Sequence, residues 1–330
     1  VTELAQYQYS PDRKPGIRVS VPATTANLGP GFDVLALALE LENTYDVWEI
    51  GSSLQIEVAG EGAHFIPRDQ SNLFFSTMQT FYALAGYQSP GLLIREYNRI
   101  PLARGLGSSA ATILAALTAA RYLSGYGMDD DRLLDMACQL EGHGDNMTAA
   151  MRGGFVLSLE LPGQKRIVRK LLWPIQLGVV AFIPELLVST ESAREVLPAG
   201  YSREDLVFNL SRVALLLSAL QEGRFEDLRV AVEDRAHQPY RAELVPGLSR
   251  IIAAAEEAGA FGAMLSGAGP TVVALHDRDV RAGGQRIAGA MTRAAAEFGL
   301  EGRGIALGVR PRGMDFSSLP SDPTGTTLRL

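Results

Sequence analysis

Apolar and polar positions alternate over residues 17–21, where Ile17, Val19 and Val21 are separated by Arg18 and Ser20. This two-residue period predicts a strand with one buried face. A loop rich in Gly, Pro and Asn follows over 22–33, and further strand-like runs fall at 34–41, 45–50 and 54–59. The pattern turns helical over 71–85, opened by Ser71-Asn72, before another strand at 91–97. Helices over 108–123 and 129–141 and strands over 154–160 and 166–172 complete the first half. The second half reads as strand 177–183, helix 190–196, a long helix 203–221 capped by Ser202, and helix 247–258. Strands 261–266 and 271–275, helix 280–298 and strand 303–309 follow. Strands gathered in hairpin-like pairs predict an α+β architecture rather than a strictly alternating doubly wound sheet. The length suggests two domains. A boundary near Trp173-Pro174 gives units 1–173 and 174–310, and the tail 311–330, rich in Ser, Pro, Gly and Thr, is expected to be flexible.

Composition narrows the function classes. The 330 residues are 47% apolar and 20% charged, an ordinary globular balance, and the net charge of −7 argues against a general nucleic-acid binder. The single cysteine, Cys138, excludes an internal disulfide framework and any cysteine-rich zinc site; its place in an apolar helical pattern predicts a buried structural thiol. Four scattered histidines without an HExxH pattern argue against a transition-metal centre. The N-terminal stretch is polar and does not resemble a signal peptide, and no apolar run is long enough to span a membrane. A cytoplasmic enzyme or binding protein is expected.

Residues 101–124, PLARGLGSSAATILAALTAARYLS, hold the most informative chemistry. Gly105 and Gly107 let the backbone approach a ligand closely, Ser108 and Ser109 are good helix caps, and a strong helix former follows. A glycine loop feeding a helix N-terminus attracts anions, because free N–H groups and the helix dipole point the same way. No lysine follows the glycines, since the chain has only Lys14, Lys165 and Lys170, so the Walker phosphate loop is absent. Three readings stand beside one another: a plain turn, a dinucleotide fingerprint, and a cradle for a nucleoside triphosphate. The fingerprint lacks its context, because Pro101–Arg104 separate the glycines from the strand and a turn replaces the second strand. A helix end contributes only about 0.3–2 kcal/mol toward an anion. The triphosphate reading therefore demands Mg²⁺ and polar groups from elsewhere in the chain.

PLARGLGSSA resembles the second motif of the GHMP kinases. PATTANLGPGFD at 22–33 is similar to their first motif and LSGAGPTVVAL at 265–275 to their third, in the family's order and over residues 17–310. The resemblance implies a two-domain α+β GHMP kinase fold. Its N-terminal domain is like domain 2 of a small-ribosomal-subunit protein, and its C-terminal domain is ferredoxin-like. Within the family, the first motif, EGHGDN at 141–146, STESAREVLP at 189–198 and DRAHQPYR at 234–241 are similar to the branch that phosphorylates homoserine. That branch implies ATP-dependent formation of O-phospho-L-homoserine for threonine biosynthesis, with ATP and Mg²⁺ as partners of the reaction and a homodimer as a possible assembly. A kinase of another small alcohol and a non-catalytic ligand sensor are the alternatives.

The resemblance also implies roles. Asn72, Pro101, Leu102, Ala103, Arg104, Gly105, Leu106, Gly107, Ser108, Ser109, Ala110 and Ala111 would lie along the nucleotide, with Ser109 and Glu141 on Mg²⁺. Asn27, Asp33, His143 and Asp145 would surround the amino-acid head. Arg194 and Arg241 would clamp its carboxylate, assisted by Thr190 and Gly262. Asn146 would orient the reacting hydroxyl, with Asp145 as the fallback base. The chain departs from the branch at Gly144, where proline is usual, and at Met147-Thr148-Ala149, where Val-Ala-Pro is common; both changes loosen the turn around Asp145.

Overall fold

A computed structural model describes residues 14–161 and 166–325. The polar stretch before Lys14 and the tail residues 326–330 lie outside the described residues. The first unit contains β1 (Gly16–Ala26), β2 (Leu35–Glu49), β3 (Leu54–Gly60), α1 (Leu73–Ala85), β4 (Leu92–Asn98) and α2 (Ser108–Ser124). It continues through α3 (Asp130–Glu141), α4 (Asp145–Arg152), β5 (Phe155–Glu160) and β6 (Arg166–Leu171). The second contains β7 (Leu177–Pro184), α5 (Thr190–Glu195), α6 (Arg203–Glu222), α7 (Leu228–Ala231), α8 (Gln238–Arg241) and α9 (Leu248–Glu257). There follow β8 (Gly262–Leu265), β9 (Val272–Asp277), α10 (Gly283–Ala296) and β10 (Gly302–Leu307), after which β11 (Asp315–Leu319) returns to the first unit.

The first sheet runs β11–β1–β2–β4–β3, with β5 and β6 branching from β2. The sequence pattern reads two strands at 34–41 and 45–50, whereas the chain forms one. The polar residues between them fall where β2 changes partner, from β5 at Leu35–Leu37 to β4 at Thr44–Glu49, while β1 pairs along both halves. The tail corrects a second expectation. Residues 315–319, inside the tail expected to be flexible, form a strand, β11, that pairs antiparallel with β1. Trp48 Nε1 donates to Pro320 O at 2.8 Å, and Arg95 Nη1 donates to Pro323 O at 3.0 Å. Local composition hides this, because covering the open edge of β1 is a long-range gain.

The second sheet is antiparallel in the order β10–β7–β9–β8. Alternation along β7 splits its side chains between two cores. Val180 and Phe182 pack with Ile251, Ile287 and Met291 of α9 and α10. Val179, Ala181 and Ile183 join the larger core built around β1, β2 and α2. The two sheets therefore share apolar packing, and the loops between them are held in fixed relation. Helix α2 is buried nearly all round, as its Ala/Leu sequence requires of a central helix. Cys138 is buried, and that burial pushes its thiol pKa up to about 12.

Candidate active site

A cleft of about 440 Å³ opens beside the N-terminus of α2. At one end stands the glycine loop. Gly105 and Gly107 both have left-handed backbones, at φ of 70° and 72°, a conformation that side chains resist. A Cβ at 105 would come closer than 3.0 Å to Ser266 O, and one at 107 closer than 3.0 Å to Thr24 Oγ1. The loop is thus pressed against the first and third motif segments. Thr24 N donates to Leu106 O at 3.0 Å, and Ser266 Oγ donates to Gly105 O at 2.6 Å.

The expectation that the serines cap the helix is corrected here. Gly107 is the N-cap of α2 and supplies no side-chain cap. Ser108 Oγ is buried, lines the cleft and has no protein partner. Ser109 Oγ donates instead to Glu141 Oε1, at the end of α3. The first turn of α2 therefore offers uncapped amides and an unsatisfied hydroxyl to the cleft, which is how a helix end receives an anion.

The opposite end is built by side chains from separate segments. Asn27 and Asp33 lie in the loop between β1 and β2 with φ of 72° and 56°. Asn27 Oδ1 accepts from Asp33 N, and Asn27 Nδ2 donates to Gly267 O at 3.1 Å. Asp33 forms a two-pronged ion pair with Arg194 of α5, at 3.0 and 3.2 Å. Arg241, on α8, is buried; its Nε donates to Ala193 O at 3.0 Å and its Nη1 to Gly267 O at 2.9 Å. Thr190 also lines this end.

Between the two ends sits the turn from α3 into α4. Asp145 Oδ1 accepts from Asn146 N at 2.7 Å and lies 2.9 Å from His143 Nδ1. Burial works against a charge on His143, but the hydrogen bond to Asp145 and the carboxylates of Asp145 and Glu141 lift its pKa above the ordinary histidine value. Thr24 Oγ1 donates to Asn146 Oδ1 at 2.6 Å, which leaves the amide nitrogen of Asn146 free to act as a donor. Helix α4 itself is absent from the sequence reading, which assigns no element between residues 141 and 154. Its eight residues are hemmed in by glycines and form a helix only through packing.

Most of the residues singled out in the sequence converge on this cleft: Asn27, Asp33, Asn72, Leu102, Ala103, Arg104, Gly105, Gly107, Ser108, Ser109, Glu141, His143, Asp145, Asn146, Thr190, Arg194 and Arg241. Five do not. Leu106, Ala110 and Ala111 lie in the hydrophobic core, and Pro101 is buried beneath the loop. Gly262 opens β8 with its Cα against Leu228 and Val232, away from the cleft; its lack of a side chain serves sheet-to-helix packing. Asn72 does line the cleft, but it also caps α1, accepting from Phe75 N and donating to Glu96 Oε1 at 2.7 Å. Glu96 is a cleft residue that the sequence reading passes over, and burial raises its pKa. A signal existed: Glu96 shares the inward parity of Leu92 and Ile94 in β4, where an acid is out of place.

Comparison with known proteins gives the family. The family model of the GHMP kinases N terminal domain matches residues 72–154, and that of the GHMP kinases C terminal matches residues 216–291. The homoserine kinase of Caldanaerobacter subterraneus subsp. tengcongensis is 40% identical over 92% of the chain and 96% of its own length. That of Moorella thermoacetica is 44% identical over 78% of the chain and 86% of its own length. Among solved structures, the homoserine kinase of Cytophaga hutchinsonii superposes with a TM-score of 0.81 at 28% identity, covering 95% of this chain and 100% of that one.

Proposed function

The chain belongs to the homoserine kinase family within the GHMP kinases, and from that premise we infer that its cleft transfers the γ-phosphoryl group of ATP to the hydroxyl of L-homoserine. The products are ADP and O-phospho-L-homoserine, a step of threonine biosynthesis. One observation carries this assignment to the cleft. A single cavity joins an uncapped helix end, fit for phosphate, to a mixed-charge end fit for a zwitterion. Homoserine brings an ammonium, a carboxylate and one free hydroxyl. Asp33, Asn27 and Asp145 are the partners we assign to the ammonium end, and Arg194 and Arg241 to the carboxylate. Arg194 and Asp33 satisfy each other in the free protein, so substrate exchanges one ion pair for two and keeps both charges compensated.

We assign the triphosphate to the amides of Gly105 to Ser109 and to the Ser108 hydroxyl. Among the described residues no group of three or more His, Cys, Asp or Glu side chains surrounds a common point. A dedicated protein cage is therefore not the arrangement we propose for Mg²⁺. The contact between Ser109 Oγ and Glu141 Oε1 instead brings together one hydroxyl and one carboxylate, a set that suits an ion holding mostly phosphate oxygens and water. Mg²⁺ bound there would neutralise phosphate charge in place of the missing lysine.

For the transfer itself, Asn146 is the residue we place on the hydroxyl, with its amide N–H directed at the acceptor oxygen. A loose transition state needs little early deprotonation, so orientation does most of the work. Asp145, assigned above to the ammonium, is the fallback base. Asp145→Asn separates these: a kcat lowered about a thousandfold at unchanged homoserine KM assigns the base, and raised KM at near-normal kcat assigns ammonium binding.

We further propose a division near residue 173 into two domains and a cytoplasmic location. The exposed side chains of Leu206, Val207 and Leu210 on α6 support self-association into a homodimer. No helix among the described residues is long and apolar enough to cross a membrane. An ATP- and Mg²⁺-dependent assay that identifies phosphohomoserine tests the reaction. Turnover of mevalonate or galactose instead would reassign the substrate, and tight ATP binding without any turnover would make the protein a sensor.

A further inference from the structure

The turn that carries His143, Asp145 and Asn146 has a guanidinium packed against its back. Gly144 is the N-cap residue of α4, and a Cβ there would come closer than 3.0 Å to Nη1 and Cζ of Arg166. Arg166 therefore occupies the room that any side chain at 144 would need. It starts β6, and its side chain is only 9% exposed. Its Nη2 donates to Glu160 Oε2 at 3.0 Å and its Nη1 to Ser158 Oγ at 3.4 Å, while Nε stands 3.9 Å from Asp135 Oδ1.

The same guanidinium also reaches the far side of the turn. Ser158 Oγ accepts from the buried Thr148 Oγ1 at 2.8 Å, and Thr148 N donates to Gly144 O at 2.9 Å. Both ends of the first turn of α4 thus rest on Arg166, one by direct packing and one through Ser158. This placement is costly, since Nε is buried without a hydrogen-bond partner. Arg166 is not among the residues lining the cleft.

We propose that Arg166 is a positioning residue for phosphoryl transfer. Wedged against Gly144, it fixes the turn that presents Asp145 and Asn146, and residues 144 and 166 form a coupled pair. The loop that glycine would loosen is stiffened from behind by a side chain that glycine alone leaves room for. The proposal rests on the homoserine kinase reading of the cleft.

A double-mutant cycle on the full chain tests it, with Gly144→Ala, Arg166→Ala and their combination. Alanine tolerates the backbone at 144, where φ is −114°, so only its Cβ is at issue. In the wild-type background Gly144→Ala is expected to lower kcat/KM for homoserine about tenfold, mainly through KM, with the ATP dissociation constant unchanged within about twofold. In the Arg166→Ala background the same change is expected to cost less than about twofold, because the Cβ then has space. Arg166→Met, which keeps the apolar stem, replaces Arg166→Ala in the cycle if the latter does not fold. Equal cost in both backgrounds, or no cost in either, overturns the pairing. A fall in kcat alone, with both KM values unchanged and a lowered Tm, means a smaller folded fraction and overturns the positioning role. Should the wild-type protein not phosphorylate homoserine, the functional reading fails by itself. The same cycle read in Tm then still decides the coupling, a non-additive result supporting it and an additive one overturning it.

Discussion

The two ends of the cleft are made in different ways. The end we assign to phosphate is backbone: two left-handed glycines, an uncapped helix start and one orphan hydroxyl, all within residues 105–109. The end we assign to the amino acid is side chains, drawn from the β1–β2 loop, the α3–α4 turn, α5 and α8. A backbone site tolerates almost no change in shape but has few charges to lose. A side-chain site can lose a charge without losing its shape, provided that the charge is not also a strut.

The largest expected effect lies at the backbone end. Gly107→Ala places a Cβ against Thr24 Oγ1 and imposes a left-handed conformation that alanine resists. Thr24 cannot yield freely, because its hydroxyl holds Asn146. The loop and Asn146 should shift together, lowering kcat/KM by about a hundredfold or more. Wild-type kinetics for this variant would show that the loop is more pliable than a backbone site can be, and the contrast between the ends would collapse.

At the side-chain end the two arginines should separate by what they support. Arg194 and Asp33 are each about two-fifths exposed, with side-chain exposures of 40% and 38%. Arg194→Ala is expected to change stability by no more than about 0.5 kcal/mol, yet to raise the homoserine KM about fiftyfold through loss of a bidentate carboxylate partner. Arg241 is 2% exposed and holds the carbonyls of Ala193 and Gly267. Arg241→Ala should therefore cost about 3 kcal/mol of stability in addition to substrate affinity. Thermal melts beside steady-state kinetics check both, and equal stability losses would erase the distinction between ligand and strut.

This division also governs what could be read from the chain. The phosphate end is legible because its determinants are contiguous: the glycines, the serines and the helix that follows announce one another at short range. The α+β class is legible for the same reason, since most strands carry their own alternation. The amino-acid end was reached by resemblance, because nothing local ties Asp33 to Arg194 across 161 positions. Gly262 shows the hazard of that route. Its glycine is explained by Leu228 and Val232 packed against it, and it does not line the cleft. Strand β11 and helix α4 were hidden because each is stabilised by a distant partner rather than by its own pattern. Arg166 opens the strand expected over 166–172, and nothing in its local sequence ties it to Gly144, behind which the structure sets it.

The smallest expected effect concerns Glu96, the acid on the inward face of β4, where the cleft meets the core. Burial raises its pKa, and the hydrogen bond from Asn72 only partly opposes that. The folded state therefore binds the Glu96 proton more tightly than the unfolded chain does. Its contribution to stability is fully present below the unfolded carboxylate pKa and is lost as pH rises through the folded value. Glu96→Gln keeps an acceptor for Asn72 but removes the titration. Relative to wild type, the variant should gain about 2 °C in Tm as pH is raised from the carboxylate range to neutrality, with little difference between the two proteins at the acidic end. A difference in Tm that does not change with pH would mean that Glu96 titrates in the fold as it does in the unfolded chain and is ionised at neutrality. The apolar edge of the cleft would then carry a buried charge, and the view that only its far end is built on charges would have to be given up.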